Sequence, residues 1–472
     1  PRRQRPLASP AGPSDPSPQL AASAPGHPSW AAVAMDFMRP QVTPAVSSVR
    51  LFWKIVAFVL PGYTFVLMGT MMSSVDKAFI GRASSLQLAA LGPATGAYDM
   101  SAFSLSFLGQ ATLALLGSPP PGLGRDALRS HALIFAAIAG AALGTTLAVF
   151  ALPVVRVFGA QEAMVPHALA YLRVRSLCMF LGRTRDIANQ FCLAEKDAIT
   201  PFFSTIVAVV VNIIGDILLC ERLGTLGAAI ATDAASASAL GFVVTRLRHR
   251  RLWPRPIRKP SRGDFAPFAE YAGPIFLNNV SKMVAIVLMG SFATRMGTAP
   301  GAAHQICISA WLLCGFTLGM PLSWAARAFL PASVEDSEYL RTFRVLLAAT
   351  VAASITGAFL ALALLNYGLV WFTRDPLVKD QVAGAAPAAV ANVFLCVYYQ
   401  SMEGVLITQK RLHALVRLGA TLTAIFCVSS TILHFAGTLT LPMLWGALST
   451  GVFGICTATT LVVADGLSKS RP

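Results

Sequence analysis

Two carboxyl side chains lie inside long runs of non-polar residues, where a polypeptide seldom carries charge. Asp216 falls within the run 209–219, with Asn212 four residues before it, and Asp76 ends an earlier apolar run. Residues four apart share one face of a helix, so Asn212 and Asp216 are expected to stack as an amide and an acid. Such a pair can hold a proton or a small cation by oxygen ligation.

The depth of these acids in apolar sequence is itself informative. A charged side chain at the centre of a bilayer costs at least ~2.5 kcal/mol on insertion scales, so an acid there is a functional hypothesis by default. Burial disfavours the charged form of a carboxyl, and a second acid nearby disfavours it further, which suits a pair that takes up and releases a proton. Two structural alternatives stay open: Asp76 pairs with Lys77 or Arg82 at the interface, and Asp216 is a helix-packing polar group.

Three further features bear on the path of a solute. Pro61, fifteen residues before Asp76, is expected to bend the first helix because it removes one backbone hydrogen bond. Arg183 and Arg185 fall in the fourth apolar run and Lys282 in the seventh, where they can face either a substrate or ion-pair partners such as Asp186. The sequence leaves these two interpretations open.

The composition shows which elements must position these residues. Of the 472 residues, 55% are hydrophobic and 12% are charged, which is too apolar for soluble domains. About twelve runs are long enough to span a membrane as helices, which needs ~20 residues each. Alternation typical of a β-barrel is not seen. We predict an all-α polytopic membrane protein with twelve transmembrane helices.

A long internal repeat divides these helices into two sets of six. Adding 213 to a set of positions in the first half gives the same residue types in the second half, with one exception. The first set is Pro61, Asp76, Phe79, Arg82, Ala89 and Ala90, and the second is Pro274, Met289, Phe292, Arg295, Ala302 and Ala303. The scaffold is repeated and the acid is not. Paired halves around a central site are typical of secondary transporters.

The repeat predicts a domain organisation. We expect a six-helix bundle over 49–247, a basic loop over 248–265 and a second six-helix bundle over 266–465. The flanking segments 1–48 and 466–472 are expected to be tails. Residues 1–48 are rich in Pro, Ser and Ala and poor in acids, as in an organelle transit peptide or a plain disordered tail.

The net charge of +16 does not indicate a nucleic-acid partner. Most Lys and Arg lie in loops and tails on one side, with a cluster between Arg246 and Arg262, which follows the positive-inside rule. The chain has no Walker-type phosphate loop and no spacing typical of a zinc site or a Ser/His/Asp triad. We therefore expect no enzyme, no cofactor and no resident metal, and a transport activity that uses an ion gradient.

Three local strings, at residues 74–82, 226–232 and 296–306, resemble the multidrug and toxic compound extrusion (MATE) family over about 50–465. Among its branches the chain is most similar to the DinF-like type and to plastid DETOXIFICATION transporters of plants and algae. The resemblance implies two six-helix bundles and export of organic anions or xenobiotics in exchange for H⁺ or Na⁺. It also implies a cation site formed by the following residues, with Na⁺ an alternative to H⁺: Asp76, Asn189, Asn212, Asp216 and Thr232.

The same resemblance sets the expected context. It implies a monomer in a lipid bilayer that binds a small molecule, in the plastid envelope or the thylakoid membrane. Two other functions stay open. A lipid-linked oligosaccharide flippase shares a two-lobed helical architecture, and a transport-inactive receptor or scaffold would have no reason to keep Asp76 and Asp216 buried together.

Overall fold

The computed structural model describes residues 48–330, 336–373 and 375–469, and every regular element in these ranges is a helix. The helices of the first half are α1 (Ser48–Ala83), α2 (Ser85–Ser104), α3 (Ser106–Gly117), α4 (Arg125–Val149), α5 (Ala151–Val157), α6 (Val165–Leu177), α7 (Met179–Ala194), α8 (Ile199–Leu223) and α9 (Thr225–His249). Those of the second half are α10 (Arg262–Arg295), α11 (Thr298–Ala310), a π-helix (Trp311–Phe316), α12 (Thr317–Phe329), α13 (Asp336–Asn366), α14 (Leu369–Phe372), α15 (Pro376–Thr408), α16 (Leu412–Phe435) and α17 (Leu441–Lys469). The all-α prediction is therefore confirmed.

Eleven helical stretches in the described part of the chain are long and apolar enough to cross a membrane. Two of them join consecutive elements, since α2 continues into α3 and α11 continues through the π-helix into α12. The remaining predicted span, the fourth, is the pair α6 and α7. Its arginines and Asp186 lower its hydropathy, so this span stands apart by composition. The protein is an integral multi-pass membrane protein with the helix content that the sequence indicates.

The helices of each half pack mainly against helices of the same half. In the first half α8 lies against α9 and α1, and α7 lies against α4. In the second half α15 is the central helix and contacts α11, α12, α13 and α17. Residues 399–407 of α15 are buried on every face of the helix, so any polar group they carry must find its partner inside the protein.

The two halves meet through α1, which packs on α12 and α13, and through α3, which packs on α10. Aromatic rings line the first contact: Phe58 and Phe329 lie with centroids 5.5 Å apart, and Phe65 and Trp324 lie 5.7 Å apart. Between them Gly62 faces Pro321 so closely that a Cβ at Gly62 would lie 2.9 Å from the proline Cβ. Helix α1 is therefore held tightly against α12.

The predicted tail 1–48 lies outside the described residues except for Ser48. Of the predicted tail 466–472, only residues 466–469, which end α17, are described. The limits 49–247, 248–265 and 266–465 stay a prediction. The break between α9 and α10, from residue 250 to 261, falls within the predicted loop.

Small residues let helices approach closely, and Gly144 of α4 shows this best. A Cβ at Gly144 would lie 2.1 Å from the backbone oxygen of Ser176. We expect Gly144→Ala to lower the free energy of unfolding by about 1–3 kcal/mol, because α6 and α7 must move away from α4. Gly241→Ala is the matched control, since Gly241 has no atom within 4 Å of its added Cβ. Thermal unfolding in detergent measures both, and equal losses would contradict the prediction.

Candidate functional site

Helix α8 presents one buried stripe, and the stripe carries the chemistry. Its buried residues recur every four positions from Thr200 to Cys220, through Ser204, Ala208, Asn212 and Asp216, while non-polar side chains on the other faces are exposed. Residues four apart are neighbours on a helix surface, so these side chains form one continuous stripe that winds slowly round the helix axis. The stripe faces α9 and α1, and its polar end lies where Asp76 of α1 is buried.

One amide joins the two acids. The Asn212 Nδ2 donates to Asp76 Oδ1 at 2.6 Å and to Asp216 Oδ2 at 2.9 Å. Asp76 is 6% exposed, Asp216 1% and Asn212 0%. The Oδ1 atom of Asn212 is buried and has no hydrogen-bond partner among the described residues. The structure thus brings together three residues, of which Asn212 lies 136 positions after Asp76 and 4 positions before Asp216.

Two more side chains complete the cluster. The Thr232 Oγ1 lies 3.3 Å from Asp76 Oδ2 and 2.8 Å from the carbonyl oxygen of Ala228. A hydroxyl has one proton, so when it donates to Ala228 it can accept a hydrogen bond from a protonated Asp76. The Cys220 thiol donates to Asp216 Oδ1 at 3.4 Å. The sequence analysis did not include Cys220, although its place four residues after Asp216 could have suggested it.

Close helix packing puts Thr232 within reach. Gly215 of α8 lies against Ala231 of α9, where a Cβ at position 215 would lie 2.7 Å from the Ala231 Cβ. The absence of a side chain on Gly215 lets the two helices approach beside Asp216 and Thr232. A larger residue at this point would separate the two helices at the site.

Asn189 is the predicted coupling residue that the structure does not join to this cluster. It is 2% exposed on α7, and neither polar atom of its side chain has a hydrogen-bond partner among the described residues. Next to the cluster, Asp233 of α9 pairs with Arg175 of α6, whose guanidinium lies 4.2 Å from the centroid of the Tyr98 ring. The buried cation beside the acids is therefore Arg175, which already has its own acid.

Two of the three predicted substrate-path cations, Arg183 and Arg185, form ion pairs on α7. The Arg183 Nη2 lies 3.0 Å from Asp186 Oδ2, and the Arg185 Nη2 lies 3.0 Å from Asp186 Oδ1. Arg183 also donates to the carbonyl oxygen of Ala102 at 3.0 Å. One carboxylate thus pairs with two guanidinium groups, so each arginine has an acid partner and one positive charge remains in excess.

Lys282 of α10 pairs with Glu403 of α15 in the second half. The Lys282 Nζ lies 2.8 Å from Glu403 Oε1 and 2.6 Å from Oε2, and Asn278 Nδ2 donates to Oε1 at 2.7 Å. These groups lie beside a cavity that also includes Arg327 of α12. Arg327 was missed by the sequence analysis, although a charge inside the apolar run 318–330 is a signal of the kind used for Asp76 and Asp216.

The first cluster offers a site for a proton or a small cation. Its oxygens come from two carboxyls, one amide and one hydroxyl, which suit H⁺ or a hard cation such as Na⁺. With Nδ2 turned toward the acids, Asn212 stabilises carboxylates. With the amide reversed, its Oδ1 would face the same space and accept a proton or ligate a cation. Within the described residues no group of three or more His, Cys, Asp and Glu side chains indicates a further metal site.

Comparison with known proteins gives one family and one fold. The family model MatE matches residues 63–218. The chain is 28% identical over 285 residues to Protein DETOXIFICATION 47, chloroplastic, of Arabidopsis thaliana, which covers 59% of this chain and 52% of that protein. It is 24% identical over 379 residues to Protein DETOXIFICATION 44, chloroplastic, of the same plant, covering 74% of this chain and 72% of that one. The chain thus spans about half of the first of these relatives.

Solved transporters have the same fold. The Vibrio cholerae MATE transporter VcmN in the bent form superimposes with a TM-score of 0.77 at 18% identity, covering 90% of this chain and 98% of that one. A MOP superfamily transporter from Pyrococcus furiosus, described as having a binding pocket of reverse polarity, superimposes with a TM-score of 0.76 at 19% identity, covering 91% and 100%.

The shared amide predicts a large effect on stability. Asn212→Leu removes the donor of both acids, so the folded state must keep two carboxyl groups buried without it. We expect the free energy of unfolding to fall by about 2–4 kcal/mol, because a buried acid that loses its hydrogen-bond donor is more costly than a neutral group that does so.

Asn392→Leu is the matched control. Asn392 is 1% exposed and donates to Ser449 Oγ at 3.3 Å, a bond between neutral groups. Its removal should cost about 1 kcal/mol. Thermal unfolding in detergent measures both variants, and equal losses would contradict the prediction.

Proposed function

The chain belongs to the MATE family of membrane transporters, and from this premise we propose that it is a secondary active antiporter. It exports small organic compounds, organic anions or xenobiotics, in exchange for H⁺ or Na⁺. The observation that carries the proposal is the pair of buried acids, Asp76 and Asp216, joined by Asn212. Two buried like charges oppose folding, so their retention favours a transport role over a scaffold role.

Coupling follows from the chemistry of this cluster. In the unloaded state the side-chain N–H groups of Asn212 donate to both carboxylates, which the surrounding non-polar side chains cannot do. A proton or Na⁺ that enters replaces this donor, because the two acids can then share the incoming charge and Asn212 can present Oδ1. Thr232 follows the same exchange by turning its hydroxyl between Asp76 and Ala228. The loaded and unloaded forms thus have different contacts with α1, as a population shift requires.

A bend in α1 fits this coupling. Pro61 lies inside the helix, on the half opposite Asp76, and next to the contact of Gly62 with Pro321. The Vibrio transporter has a form described as bent, and a related MATE structure is described as straight. By analogy we propose that α1 of this chain changes its bend when Asp76 exchanges its proton or cation.

Four finer parts of the proposal concern the membrane, the oligomeric state, the lobe limits and Asn189. The plastid envelope or thylakoid membrane is supported by two chloroplastic relatives at low identity. The protein acts as a monomer, and the lobe limits are those predicted from the repeat. Asn189, which lies on α7 outside the bonded cluster, serves in this scheme as a nearby polar group rather than a ligand of the same ion.

The coupling proposal predicts loss of gradient-driven transport in Asp76→Asn and Asp216→Asn. Each change keeps the size of the side chain and removes its titratable oxygen. In sealed proteoliposomes with an imposed pH or Na⁺ gradient, uptake of a panel of organic anions and cations should fall to the level of protein-free liposomes. Glu162→Gln is the control, because the Glu162 side chain is 77% exposed and pairs with Arg156 at the surface. Wild-type rates in both Asp variants would disprove the site.

The bend predicts a separate effect of Pro61→Ala. An interior proline costs a helix about 3 kcal/mol, so its removal should leave the melting temperature unchanged or raise it. Turnover should nevertheless fall, because α1 loses its preferred point of bending. Pro376→Ala is the control, since Pro376 occupies the first position of α15, where proline breaks no helical bond. Unchanged turnover and unchanged dependence on the gradient would count against a role for the bend.

A further inference from the structure

A cavity of about 260 Å³ lies mainly in the second half, between α10, the π-helix, α12, α15, α16 and α17. Most of its wall is non-polar and includes Met289, Trp311 and Phe316. Three ionisable groups interrupt this wall, namely Lys282, Arg327 and Glu403. None of the four residues of the acid cluster (Asp76, Asn212, Asp216 and Thr232) lines it, so it is a second site.

Arg327 is the unusual member of the wall. It is 3% exposed, and its bonds within the described residues go to its own helix, from Nε to the Ser323 carbonyl oxygen at 3.1 Å and from Nη2 to the Ser323 hydroxyl at 3.0 Å. Its Nη1 is buried and has no acceptor in the described part of the chain. No carboxylate of the described residues lies within 4.0 Å of its guanidinium. A buried cation without a partner is costly, so this one calls for an anion.

The other two charged groups satisfy each other. Glu403 is 4% exposed and binds Lys282 through both carboxylate oxygens, with Asn278 as a second donor. Lys282 therefore balances the charge of Glu403. Two cations and one acid leave one positive charge in excess, and the geometry assigns that charge to Arg327. A guanidinium presents paired N–H groups that match the two oxygens of a carboxylate.

We propose that this cavity binds a small organic monoanion, whose carboxylate accepts from Arg327 and whose non-polar body lies against Trp311, Phe316 and Met289. The excess of one charge matches a monocarboxylate, and the non-polar wall selects an aromatic or aliphatic body over an inorganic anion. The proposal rests on the proposed function, because it names the substrate class of the same transporter. It also places the source of anion preference at Arg327, which has no acid partner among the described residues, rather than at Arg183 and Arg185, which both pair with Asp186.

Binding to the purified full chain in detergent tests the site without any gradient. The probes are 2-naphthoate and 2-naphthylmethylammonium, which share a ring system and carry opposite charges. Isothermal titration should show tighter binding of naphthoate to wild type. Arg327→Gln should weaken naphthoate by roughly ten- to a hundredfold, because it removes a charged donor. Arg411→Gln is the control: Arg411 is in the same half, pairs with Asp465 and does not line the cavity.

A second variant keeps the test decisive if Arg327→Gln does not fold. Met289→Asp adds an acid to the same wall and cancels the excess charge. It should therefore also weaken the binding of naphthoate and reduce the difference in affinity between naphthoate and the ammonium probe. Tighter binding of the ammonium probe to wild type would overturn the proposal. So would wild-type naphthoate affinity in a folded Arg327→Gln or Met289→Asp protein.

Asp216→Asn separates this proposal from the coupling proposal. It should keep the naphthoate affinity of wild type, since Asp216 is not part of the cavity, while it loses gradient-driven transport. If Asp216→Asn transports normally and Arg327→Gln loses naphthoate, coupling at the acids is wrong and the anion site stands. If Asp216→Asn loses transport and Arg327→Gln binds naphthoate normally, the anion site is wrong and coupling stands.

Discussion

The Asn212 amide is the contact on which the first half of the molecule depends. Two acids from distant parts of the chain share one donor in a region where water is excluded, and like charges at that distance repel strongly in such surroundings. The donor must therefore be held rigidly, which the buried stripe of α8 and the close contact of Gly215 with Ala231 provide. The packing of α1, α8 and α9 keeps the Asn212 donor in this position.

The internal repeat retains the scaffold in the second half and changes its chemistry. Met289 stands where the first half has Asp76, and Ser430 stands where it has Asp216, so no equivalent acid pair can form. The second half has an ion pair instead, together with the guanidinium of Arg327, which has no acid partner among the described residues. The repeated six-helix unit thus carries a buried cluster of acids in the first half and an excess of positive charge at the cavity in the second half. This difference arises from a few positions on otherwise similar helices.

The sequence predicted the all-helical fold and the residues of the acid cluster, because helical spacing and burial are local properties. Asp216 and Asn212 follow from a four-residue step and Asp76 from its place at the end of an apolar run, whereas Thr232 came only from the family resemblance. Asn189 lies outside the bonded cluster, because the position of a side chain across helices depends on packing, and its role in coupling stays a prediction. Pairing of Arg183 and Arg185 with Asp186 was one of the two interpretations that the sequence left open, whereas the partner of Lys282 could not be predicted, since an ion pair between α10 and α15 has no sequence signature. The fourth span also differs from its neighbours, because its charged residues lower its hydropathy and a hydropathy pattern therefore does not show its full length.

An antiporter must make the two occupants depend on each other, either by a shared site or by a shared moving element. The acid cluster and the cavity around Arg327 have no residue in common, so a shared element is required. Helix α1 meets this requirement, because it carries Asp76 and also packs on α12, which carries Arg327, through Phe58, Gly62 and Phe65. Any change in the bend of α1 at Pro61 would alter that aromatic contact. The charge state of Asp76 can thereby reach the wall of the anion cavity through packed side chains, without direct contact between the two sites.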